Sequence, residues 1–130
     1  MQIEIFTLCD NAQVYAGKAV VIGAFNQIKV QKLPVMIPSL TLAVRVSFDK
    51  TEAGDKTFYF DIKNPDGTPL VPELCCETKQ QEQLGKHDSL ISYDMNIVFG
   101  NLSLNQAGGY TINMKHENKN YKLEFFVLER

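Results

Sequence analysis

Apolar and polar residues alternate along most of this chain, and a period of two commits it to β-strands. From Leu40 to Phe48, the residues Leu40, Leu42, Val44, Val46 and Phe48 fall on one face, with Thr41, Arg45 and Ser47 on the other. Phe58, Phe60 and Ile62 share a face, as do Tyr93, Met95, Ile97 and Phe99, and again Tyr110, Ile112 and Met114. The last stretch sets Tyr121, Leu123, Phe125 and Val127 against Lys122 and Glu124. One-sided strands of this kind suit antiparallel sheets with one face on a core and one toward solvent.

Turn residues punctuate the pattern. In Asn64, Pro65, Asp66 and Gly67 the proline presets φ for the second turn position and glycine suits the exit. Pro69 and Pro72 fall in one apolar stretch, which assigns it to a sheet edge because proline donates no ladder hydrogen bond. The polar run Lys79 to Asp88 reads as an exposed loop, and Asp10 to Lys18 as a loop with a short turn. About eight strands result: 2–9, 19–30, 39–49, 56–63, 68–77, 89–102, 109–116 and 121–129. Gly23 inside an apolar run predicts a bulge or a close backbone approach.

At 130 residues the chain is expected to form one domain, 1–130, large enough for a core without staples. A net charge of −2 with no block of like charge gives no electrostatic footprint for nucleic acid or a membrane surface. The start, Met1 to Phe6, has no basic segment followed by a long apolar one, so no secretory signal is read and a cytoplasmic location is expected. Cys9, Cys75 and Cys76 are an odd set that makes no disulfide framework. Three Cys and two His without a spaced pair argue against zinc.

The stretch Leu102 to Ile112 carries Leu102, Gly108 and Tyr110 at a spacing that resembles the corner of immunoglobulin-type sandwiches. That resemblance implies that the Tyr110 hydroxyl bonds back to a backbone group between Leu102 and Ala107. Ile112 stands where the immunoglobulin pattern has its second cysteine, and no tryptophan is present. The fold expected is an all-β, antiparallel, immunoglobulin-like β-sandwich of seven to nine strands, with Gly108 and Tyr110 at its structural corner.

A second resemblance runs through Ile3 to Asp10, Gly17 and Lys18, Val21 to Phe25, and the segment Gly108 to Val127. It is similar to a family of uncharacterised bacterial β-sandwich domains and covers nearly the whole chain. It implies a β-sandwich and carries over no catalytic residue.

Chemistry-bearing residues are few. A nucleophilic site could be assembled from Cys9 with His87 or His116, oriented by Asp10 or Asp88, but no nucleophile elbow occurs, and both histidines are expected to be exposed. Asp49, Asp55, Asp66 and Asp88 are singly placed turn carboxylates rather than a calcium loop. Phosphate-cradling glycine motifs are absent, and no cofactor is expected. Tyr59 and Lys63 should face away from the core on one strand, and Lys122, Phe126 and Leu128 on the last, with Asp61 and Glu124 interleaved. Mixed charge around exposed aromatics fits a protein contact better than a phosphate track. The expectation is a non-catalytic binding or assembly module meeting a protein partner or itself through Phe126, Leu128 and Tyr59, on the outer face or edge of the last strand. The alternative is a small hydrolase or ligand-binding enzyme using loops near Asp10 and His87.

Overall fold

A computed structural model describes residues 1–79 and 89–130. Among the described residues there are nine strands: β1 (Gln2–Tyr15), β2 (Lys18–Phe25), β3 (Gln27–Val30), β4 (Val35–Asp49), β5 (Lys56–Lys63), β6 (Pro69–Thr78), β7 (Leu90–Leu104), β8 (Gly108–His116) and β9 (Lys119–Glu129). A 3-10 turn, Lys50–Glu52, follows β4. The strands form a four-stranded sheet, β2-β1-β4-β7, and a five-stranded sheet, β3-β9-β8-β5-β6.

The two sheets pack face to face as a β-sandwich over one apolar core. Leu40, Leu42, Val44, Val46 and Phe48 supply it from β4, and Ile91, Tyr93, Met95 and Phe99 from β7. Phe58, Phe60, Ile62, Tyr110, Ile112, Met114, Phe125 and Val127 supply it from the other sheet, and all eight are fully buried. Each such side chain contributes roughly 1.5–3 kcal/mol by leaving water. The inward faces are those that the period-two pattern assigns. The edge position of β6 also agrees with its prolines.

Three departures from the sequence reading matter. First, the chain does not leave its strand at Asp10. β1 runs on to Tyr15, turns through Ala16 and Gly17, and pairs back along β2. This hairpin arm doubles back over the outer face of its own sheet. Cys9 pairs with Thr41, and Arg45 lies four residues away, about 13 Å along β4. The Gly17 carbonyl at the arm's tip nevertheless accepts from Arg45 Nη2 at 3.4 Å. On the same outer face Cys9, Ala43 and Ser47 are only 2 % exposed while lying outside the main core.

Second, the stretch expected as one strand, 19–30, is two strands in different sheets: β2 joins the four-stranded sheet and β3 the five-stranded one, with Asn26 between them. Third, β3 pairs parallel to β9, so the sandwich is not purely antiparallel. β9 therefore lies between β3 and β8 and offers no free edge. The part of the expectation that used an edge of the last strand is corrected; its outer face remains.

Candidate functional site: the outer face of the five-stranded sheet

Pairing register orders the outward side chains of β5, β8 and β9 into rows. Tyr59, Lys115 and Asn120 form the first; Asp61, Asn113 and Lys122 the second; Lys63, Thr111 and Glu124 the third. Gly109 and Phe126 form the fourth, with Gln27 of β3 beside them, and Leu128 lies next to Lys29 beyond. The outward residues named from sequence thus share one face. Phe126 and Leu128 are each 41 % exposed and Tyr59 40 %.

Phe126 lies over Gly109, where a Cβ would stand 3.2 Å from the ring edge. Glycine at that position leaves room for the aromatic side chain to cross onto β8. Between Phe126 and Tyr59 the surface dips into a concavity of about 440 Å³. Asp61, Lys63, Asn113, Thr111, Lys115 and Lys122 are among its lining residues.

A polar ladder crosses the floor. Asn120 Nδ2 donates to Asn113 Oδ1 at 3.3 Å, and Asn113 Nδ2 donates to Asp61 Oδ1 at 2.7 Å. Asp61 and Asn113 are buried, so this bond satisfies groups that would otherwise carry a desolvation cost. Lys115 Nζ lies 3.1 Å from Glu73 on β6 and 3.9 Å from Asp61. The Glu73 carboxylate, by hydrogen bond and charge, raises the Lys115 pKa. Lys63 and Lys122 have no ion-pair partner among the described residues.

One end of the concavity is tied down. The turn after β5 closes through Gly67 N to Asn64 O at 2.9 Å, and Asp66 Oδ1 accepts from the Thr68 hydroxyl and amide. Those bonds, with one from Gln106 Nε2 at 3.1 Å, lower the Asp66 pKa. Gln106 also accepts, through its carbonyl, the Tyr110 hydroxyl at 2.7 Å. The corner bond expected at Tyr110 is therefore present, and Gln106 couples it to the neighbouring turn. Gly108 packs against Pro65 at the same junction.

Tyr110→Phe is expected to cost about 1–2 kcal/mol, because the Gln106 carbonyl loses its donor within a packed corner. Burial raises the Tyr110 pKa above the ordinary 10.0. The bond's contribution is thus complete below pH 10 and is lost as pH rises through the folded value. Denaturant melts of both proteins at neutral and alkaline pH check this: the gap should close on the alkaline side.

Among the described residues, the other sequence candidates do not assemble. Cys9 is buried on the outer face of the four-stranded sheet, and burial raises its thiol pKa. Asp10 is exposed, with its carboxylate over Gly23. His116, expected exposed, has a side chain only 11 % exposed. Its ring stacks on Phe58 at 4.6 Å and meets Phe48 edge-on, because alternation along β8 puts it on the inward face with Tyr110, Ile112 and Met114. Its Nδ1 lies 3.0 Å from the Thr57 carbonyl. His87 and Asp88 lie outside the described residues. Among the described residues no three His, Cys, Asp or Glu side chains are grouped to hold a metal, and no helix is long and apolar enough to cross a membrane.

The model of a protein family described as a family of unknown function, DUF6941, matches residues 4–126. No curated protein matches the chain in sequence.

Proposed function

The chain belongs to DUF6941, a family of unknown function, and from that premise we propose a non-catalytic binding module whose five-stranded outer face meets a protein partner. The observation that carries the proposal is the joint exposure of Phe126, Leu128 and Tyr59 on the same sheet face as the concavity. Exposed apolar residues rimmed by polar ones mark contact surfaces.

Immunoglobulin-like kinship and a bacterial, cytoplasmic origin form part of this proposal. The Tyr110 corner supports the first, as does a strand order in which β5, β8 and β9 adjoin in one sheet while β4 and β7 adjoin in the other. Three free cysteines suit a reducing compartment. A hydrolytic reading around Asp10 draws no support from the buried Cys9 or from His116, which is packed between aromatic rings.

The test is affinity capture from native lysate with wild type and with Phe126→Ser/Leu128→Ser, after melts confirm that the variant is folded. Proteins held by wild type and lost by the variant support the reading. Unchanged capture removes it. Light scattering of both at micromolar concentration decides the homomeric version: a wild-type monomer excludes it.

A further inference from the structure

We infer that the occupant of this face is an extended acidic segment of another protein, laid along β8 between Phe126 and Tyr59. The inference rests on the binding-face reading above and adds the chemistry and direction of the partner. Outward side chains on β8 are short for three rows: Gly109, Thr111 and Asn113. Lys63 on β5 and Lys122 on β9 are long and stand on either side. Short residues between long ones make a trough running with the strands, and this is where the concavity lies.

The charges in the trough are asymmetric. Asp61 is engaged by Asn113, and Lys115 is engaged by Glu73. Glu124 shares the face with Lys122 but makes no ion pair with it, and it does not line the concavity. Two ammonium groups are left to meet a ligand, Lys63 in the third row and Lys122 in the second.

Spacing selects the backbone of the occupant. Successive rows are two residues apart, about 6.6 Å, which is also the distance between alternate residues of an extended chain. Phe126, Lys63, Lys122 and Tyr59 occupy four successive rows. A strand-like segment with apolar side chains at its first and seventh positions and carboxylates at the third and fifth matches them in order. A helix advances only about 3 Å in two residues and does not.

The probe is a capped heptapeptide with leucine at positions one and seven, aspartate at three and five, and serine between. Its amide-shift titration against the labelled full chain is compared with the asparagine counterpart and with a single-stranded oligothymidylate. Shifts centred on Thr111, Asn113 and Lys122 are expected, with the asparagine peptide about tenfold weaker. Lys63→Gln/Lys122→Gln should remove that preference while leaving the rest of the spectrum in place. Equal shifts from both peptides, or none from the aspartate peptide at about 5 mM, overturn the inference. Tighter binding of the oligothymidylate at the same residues also overturns it, in favour of a nucleic-acid face. If the lysine variant keeps the lysate partner that Phe126→Ser/Leu128→Ser loses, the acidic partner falls and the binding face stands.

Discussion

Replacing Arg45 by methionine is expected to cost about 2–3 kcal/mol and to loosen the β1–β2 arm from the sheet beneath it. Arg45 Nη1 donates to both Asp94 oxygens, at 3.1 and 3.0 Å, and Nε donates to Glu4 at 3.2 Å. The Arg45 and Asp94 side chains are 19 % and 16 % exposed, so removing the cation strands a poorly solvated carboxylate. The Glu4 pair is 37 % exposed at its acid end and adds little. Methionine keeps much of the side-chain volume, so the loss reports charge and hydrogen bonding rather than a cavity. Denaturant midpoints measure the cost. Maleimide labelling measures the loosening: Cys9, 2 % exposed in the closed arm, should modify faster in the variant, while Cys75, already exposed, should not change. Unaltered Cys9 labelling would mean that Arg45 does not hold the arm.

Gly23→Ala is expected to destabilise by a similar amount, about 2–3 kcal/mol, through two separable causes. Gly23 has a φ of +70°, which costs an L-residue about 1–2 kcal/mol. Its added Cβ would also clash with Asp10 Oδ2 and stand 3.2 Å from Asp10 Cβ. Asp10→Gly in the Gly23→Ala background should recover the steric part and leave the backbone part. A double-mutant cycle with a coupling of about 1 kcal/mol is the expected result; strict additivity would show that the carboxylate moves aside freely.

These two positions also mark how far the sequence could be read. The inward faces of β4, β5, β7, β8 and β9 follow directly from alternation, since one buried face and one wet face leave that signature. The close approach at Gly23 was legible as well, because glycine inside an apolar run has few other reasons to be there. The arm was not. Asp10, Asn11 and Gln13 are polar residues with turn or loop character, and the Ala16–Gly17 turn lacks the asparagine that announces a two-residue hairpin. Ala16 takes a φ of 49° there, a cost that pairing along β1 and β2 offsets. The arm's return to Arg45 is a long-range contact, and a strand's own pattern carries no record of what later reaches its outer face.

The candidate site was legible by face and not by shape. Tyr59, Lys63, Lys122 and Phe126 could be assigned outward from their strands alone. Bringing them onto one trough requires the register between β5, β8 and β9, which depends on cross-strand packing. His116 shows the opposite failure: a polar residue at a strand end invited an exposed reading, and aromatic neighbours from β4 and β5 enclosed it.

The parallel pairing of β3 with β9 has a mechanical consequence. Phe126 N donates to Asn26 O at 2.9 Å, Arg130 N donates to Val30 O at 2.8 Å, and the ladder lies between them. Tension applied along the chain on either side pulls β3 backward and β9 forward. The two strands are then loaded in shear, and their bonds must give way together rather than peel one at a time. Antiparallel hairpins such as β8–β9, pulled from their open ends, would unzip. The short strand that conceals an edge of β9 is thus also a shear-loaded clamp between the two sheets' connecting segment and the last strand.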